Sequence, residues 1–160
     1  GGFTAKKVTV STGGSLTVNS GTSVTVVNEL INELTETAVV VESNGSLIQN
    51  GTTNQNSGNI TVNRSSQDLM RLDYTMWSSP VAAQNLGGFS PFTMTNRFYT
   101  YTTATDIYTT IANTNDFAVG QGYLIRTPDN HPTSPTSWLG QFVGLPNKQY
   151  CHKPSFGHAD

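Results

Sequence analysis

From residue 8 onward the chain alternates apolar and polar positions in short runs of one shape: Val8-Thr9-Val10, Leu16-Thr17-Val18, Val24-Thr25-Val26. Successive runs begin eight residues apart, with the glycine-bearing gaps TGG and NSG between them. A period of two is that of a strand with one buried face, and the gap glycines supply the positive φ of tight turns. The pattern returns in TAVVVESNGSLIQNG, through Val39, Val41 and Leu47, and in GNITVNR, through Ile60 and Val62. Val10 to Val26 is sixteen residues and Val24 to Val39 is fifteen, which predicts a rung of two short strands. Strands this short cannot bury an apolar face alone, but stacked coils can, so residues 1–63 are expected to form a β-solenoid. A run of hairpins is the rival arrangement, and it would favour regular two-residue Asn-Gly or Asp-Gly turns, which the gaps lack.

One segment, NELINELTET, breaks the alternation. Leu30, Ile31 and Leu34 have helical spacing, yet the segment is short for an independent helix and is embedded in β text. A single strand over LINELT is the expectation there.

After a polar loop at residues 50–59 the chain changes character. Residues 64–147 hold both tryptophans and most of the other aromatic residues. Candidate strands are Leu69–Trp77, Arg97–Thr102, Ile107–Thr110, Gly122–Arg126 and Trp138–Val143. The expected architecture is all-β: the solenoid segment, a junction near Asn63–Gln67, an aromatic-cored β-sandwich-like module over 64–147, and an irregular tail over 148–160.

The text LMRLDYTMWSSPVAAQNLGGFSP, with RFYTYTTATDIY, FAVGQGYLIRTPDNHP and WLGQFVGLPN, follows GSLTVNSGTSVTV, NGSLIQNG and GNITVNR. In this order and spacing the chain resembles a β-rich module of large surface proteins of Bacteroidota exported through the type IX system. DYTMWSSPV and GQGYLIRTP are the most specific elements of the likeness. It implies an extracellular or cell-surface location and a structural or adhesive role within a larger protein. The tail KQYCHKPSFGHAD departs from that pattern, and the chain reads as a fragment or a processed product.

Composition narrows the function further. Charged residues are 11% of the chain and the formal net charge is -2. That gives no basic footprint for nucleic acid and no polybasic patch for a membrane surface. No apolar run is long enough to span a bilayer. A single cysteine, Cys151, excludes an internal disulfide and a thiolate zinc site. The acids of the second half, Asp68, Asp73, Asp106, Asp116 and Asp129, are dispersed, and no Gly-x-Ser-x-Gly elbow occurs, so no catalytic residues are assigned. No cofactor is expected. Calcium is a candidate ion through the loops TPDN and TNDF, which offer oxygen ligands, and the tail brings His152 and His158 near Cys151.

The candidate ligand-binding residues are Trp77, Trp138, Tyr99 and Tyr101, because sugar faces stack on aromatic rings. At least one tryptophan is expected in the core, and in RFYTYTT either Phe98 or the two tyrosines face outward. Arg71, Asp73, Tyr74 and Pro80 are read as structural residues of the junction, with Arg71 and Asp73 paired on one strand face and Pro80 ending the strand. The sequence therefore predicts a non-enzymatic structural or adhesive module, able to self-associate through free solenoid edges, or a carbohydrate-binding module.

Overall fold

In the computed structural model, which describes residues 1–51 and 55–147, the chain is mostly β, in three sheets of which none closes on itself. The first six strands are β1 (Phe3–Val10), β2 (Leu16–Val18), β3 (Ser23–Asn32), β4 (Val39–Val41), β5 (Ser46–Ile48) and β6 (Ile60–Leu69). They are dealt alternately into two sheets. β1, β3 and β5 pair in parallel in one, and β2, β4 and β6 pair in parallel in the other. Val10, Val24, Val26 and Leu30 from the first sheet and Val18, Val39, Val41, Ile60 and Val62 from the second belong to one buried cluster. The alternation seen in the sequence is thus the inward face of these strands, each such side chain contributing about 1.5–3 kcal/mol on burial.

The vertical repeat differs from the fifteen or sixteen residues expected. Phe3 stands beside Val24 and Val40 beside Thr61, a step of 21, while Leu16 stands beside Val39 and Val24 beside Leu47, a step of 23. The eight-residue spacing measures the distance from one strand to the next around a turn, not the step between paired parallel strands. Val24–Val26 stacks on Phe3–Ala5, and Val8 stacks on Leu30, because β1 and β3 are long enough to hold two runs each. The ambiguous segment continues β3 as far as Asn32. There the Asn32 Nδ2 donates to the carbonyls of Thr35 and Asn59, at 2.8 and 2.7 Å, and turns the chain into a 3-10 turn at Glu36–Ala38.

The turns use their residues in two ways. Gly13 and Gly21 adopt positive φ, as their gaps predict. In SNG the left-handed residue is Asn44, at φ 64°, and Gly45 serves close approach instead: a Cβ there would lie 2.5 Å from the Val18 carbonyl oxygen at the end of β2.

The remaining strands are β7 (Tyr74–Trp77), β8 (Val81–Ala82), β9 (Phe98–Thr102), β10 (Ile107–Thr110), β11 (Tyr123–Arg126) and β12 (Thr136–Pro146), with one helical turn, α1 (Leu86–Phe89), between β8 and β9. β10-β9-β11-β7 form an antiparallel sheet, while β12 and then β8 extend the sheet of β2, β4 and β6. Trp77 of β7 meets Trp138 and Phe142 of β12 at 5.1 and 6.1 Å, and Phe89 of α1 stacks on Phe142 at 4.4 Å, so these aromatic rings bridge the two sheets.

Two expectations change at the junction. β6 runs unbroken across residues 63–67 and pairs with β12 from Ile60 to Leu69, so one sheet is shared by both halves of the sequence. The strand expected over Leu69–Trp77 is interrupted by a turn at residues 70–73. Leu72 adopts φ 81°, and the Asp73 carboxylate accepts the Met70 N–H at 2.7 Å rather than facing Arg71 along a strand. The tail, with Cys151, His152 and His158, lies outside the described residues.

Candidate functional site

β9 settles which of its aromatics face outward. Phe98 is fully buried, so Tyr99 and Tyr101 lie on the opposite, outer face. Cross-strand partners in an antiparallel ladder share a face, and the register therefore extends that face across the whole sheet. Thr110 and Leu124 flank Tyr99, and Met76 lies beyond Leu124. Tyr108 stands opposite Tyr101, and Tyr74 opposite Arg126.

Four tyrosines thus share one solvent-facing surface with Met76 and Leu124. Tyr74, Tyr101, Tyr108 and Met76 are exposed, and Tyr99 and Leu124 are half-buried. The rings form two pairs: Tyr74 meets Tyr99 edge-on at 6.0 Å, and Tyr101 meets Tyr108 at 4.9 Å. The pairs are fixed by polar contacts. The Tyr101 hydroxyl donates to Asp106 at 2.5 Å, and an Arg97 Nη1 donates to the Tyr99 hydroxyl at 3.3 Å.

These contacts set different acidities. The hydrogen bond from Arg97 holds the Tyr99 phenol below the ordinary tyrosine value, because it favours the phenolate. Burial, followed by the hydrogen bond with Tyr99, pushes Tyr74 up. The bond to Asp106 pushes Tyr101 up, because an ionised Tyr101 would lose that donor.

The other expected binding residues lie elsewhere. Trp77 is 7% exposed, enclosed by Phe89, Trp138 and Phe142, and its indole Nε1 has no partner among the described residues. Its ring is part of the core and offers no face to a ligand. Trp138 is half-buried on the rim of a separate cleft of about 360 Å³, whose walls include Phe92, Pro91, Pro132 and His131. In that cleft the His131 Nε2 lies 2.9 Å from the Leu69 carbonyl and 3.1 Å from that of Thr136, a structural tie between β6 and β12.

Of the junction residues, Pro80 sits against the repeat segment, lining a cavity of about 160 Å³ with Val41, Leu47 and Ile60, and its carbonyl accepts the Asn147 N–H. Arg71 is tied through its backbone N–H to the Pro132 carbonyl. Tyr74, read from the sequence as a junction residue, belongs to the tyrosine face. Tyr108, Met76 and Leu124 were missed because their partnership with Tyr99 and Tyr101 exists only across strands. The one sequence signal for Tyr108 is the alternation in IYTT.

Among the described residues no group of three or more His, Cys, Asp or Glu side chains comes together to hold a metal ion. In the two loops considered for calcium, Asp129 pairs with Arg126 and Asp116 accepts from Asn85. No helix among the described residues is long and apolar enough to cross a membrane.

Comparison with known families places the chain plainly: residues 2–155 match the family model described as a domain of unknown function (DUF8693), and the chain belongs to that family. No curated protein and no solved structure matches it.

Proposed function

We propose that this member of the family is a non-enzymatic adhesive module, working outside the cell or at its surface, that binds carbohydrate on the tyrosine face of β10-β9-β11-β7. The observation that carries this reading is the array of four tyrosine rings, three of them exposed, on one outer sheet face. A folded chain gains less from rings left in water than it would from burying them. Tyrosine joins an apolar ring to a polar rim, which suits the C–H faces and hydroxyls of a sugar. Carbohydrate binding of this kind needs no metal.

In the same proposal, residues 1–63 are a short β-solenoid that carries the binding face. What supports it is the parallel stacking of alternate strands, with the turns in step: the Gly21 N–H donates to Asn44 O, Glu42 N–H to Val18 O and Ser46 N–H to Thr22 O. The surface location extends the resemblance drawn from the sequence.

The test is a glycan array followed by titration calorimetry on the folded protein. Tyr74→Ala and Tyr99→Ala should each weaken binding by roughly tenfold, as loss of one stacking ring worth about 1–2 kcal/mol would. Unchanged affinity in both variants, with native circular dichroism, would sink the reading.

A second reading, self-assembly into fibres, is favoured by one feature. β1 and β2 are both edge strands, and a concavity lined by Phe3, Val8, Val10 and Leu16 lies between them. Electron microscopy over a concentration series decides it, since discrete particles at every concentration exclude filaments.

A further inference from the structure

We propose that the ligand of the tyrosine face is an anionic glycan, whose carboxylate or sulfate groups meet the Arg97 guanidinium while its rings lie on Tyr74 and Tyr99. This rests on the carbohydrate-binding reading and names the class of sugar.

Arg97 immediately precedes β9, and its carbonyl accepts the Arg126 N–H at 3.2 Å, which sets it beside the Tyr74 end of the face. Its Nη1 reaches the Tyr99 hydroxyl. The ion pairs among the described residues are Lys7–Glu29 and Arg126–Asp129, so Arg97 has no carboxylate of its own. The acids of the strands and turns around the face contact other groups. Asp129 holds Arg126, Asp73 accepts the Met70 N–H, and Asp106 accepts from Tyr101 at the far end of the face.

A second guanidinium, Arg126, lies on the same face with its side chain 8% exposed. Its Nε and that of Arg97 both lack partners among the described residues. One end of the tyrosine face is therefore rich in donors, and its Arg97 guanidinium has no carboxylate paired with it among the described residues.

This arrangement discriminates by charge. A neutral sugar laid over Tyr74 and Tyr99 would take Arg97 partly out of water and give it no counter-charge, which is unfavourable. A carboxylate or sulfate supplies that charge, and the planar guanidinium fork matches its two oxygens. The tyrosine hydroxyls add donors to the sugar's remaining oxygens.

The probes are oligogalacturonate for the carboxylate, a sulfated dextran oligomer for the sulfate, and a cello-oligosaccharide as the neutral control, each titrated into the intact protein. The expected result is that one or both anionic probes bind and the neutral one binds at least tenfold more weakly. Which anionic probe binds identifies the source of the charge. Arg97→Gln should lower anionic affinity by roughly tenfold or more, the size of one lost charge-assisted hydrogen bond, and Arg97→Lys should recover part of it. Affinity of the unaltered protein should also fall as salt rises. Equal binding of neutral and anionic probes, or an Arg97→Gln protein that binds as before, would overturn the anionic assignment and leave carbohydrate binding standing. Binding to none of the three probes, nor to any sugar on the array, would overturn both.

Discussion

Single residues show how neighbouring groups divide the face chemically. Three tyrosines of one sheet face have different acidities because Arg97 donates to Tyr99, whereas Tyr74 is desolvated and Tyr101 donates to Asp106. As pH rises, Tyr99 should ionise before the other two. The groups that bear on it are Arg97, Tyr74 and Thr110, and Arg97→Gln removes the first-ranked cause. Ultraviolet titration of tyrosinate in the two proteins checks this, the expected outcome being loss of the earliest phase in the variant. In the core, a Cβ on Gly140 would come within 2.8 Å of both Phe89 and Trp77. Gly140→Ala should therefore cost about 1–3 kcal/mol through overpacking, read from the denaturation midpoint at unchanged slope.

Elements carry the next constraints. β1 is an edge strand, and its ladder with β3 is irregular between Ala5 and Lys7, which places Lys6 at the irregularity. A bulge and a lysine are two devices that keep an edge from pairing with another chain. Lys6→Val should therefore raise concentration-dependent association, seen by light scattering, while leaving the thermal midpoint of dilute protein nearly unchanged. The turn between β6 and β7 holds Leu72 at φ 81°, with the residue 55% exposed. Little packing is lost there on removing the side chain, and a β-carbon is strained in that conformation. Leu72→Gly is thus expected to be neutral to stabilising by about 1 kcal/mol, despite the greater freedom glycine gives the unfolded chain.

At the scale of the whole molecule, β6 is the shared element. It pairs in parallel with β4 on one side and antiparallel with β12 on the other. Ile60 and Val62 belong to the same buried cluster as Trp77 and Phe142. The chain should therefore unfold in one cooperative transition, although its two halves read so differently. Tryptophan fluorescence reports only on residues 64–147, and far-ultraviolet dichroism reports on all strands. The two denaturation curves should coincide, and separate midpoints would show that the halves are independent units.

The sequence by itself determined the β class, most strand positions, and the inward residues of the repeat, because a period-two alternation flanked by glycine turns has one local solution. Ile107–Thr110 and the strands around Tyr99 and Tyr123 were legible for that reason. The sequence also supplied Tyr99 and Tyr101 as candidates, but not their partners. The step between paired parallel strands, the turn inside Leu69–Trp77, the burial of Trp77 and the assembly of Tyr74, Tyr99, Tyr101 and Tyr108 were decided only by tertiary structure. Each depends on which strand lies beside which, and register between distant segments is set by packing across the sheets, a quantity that no local run of residues encodes.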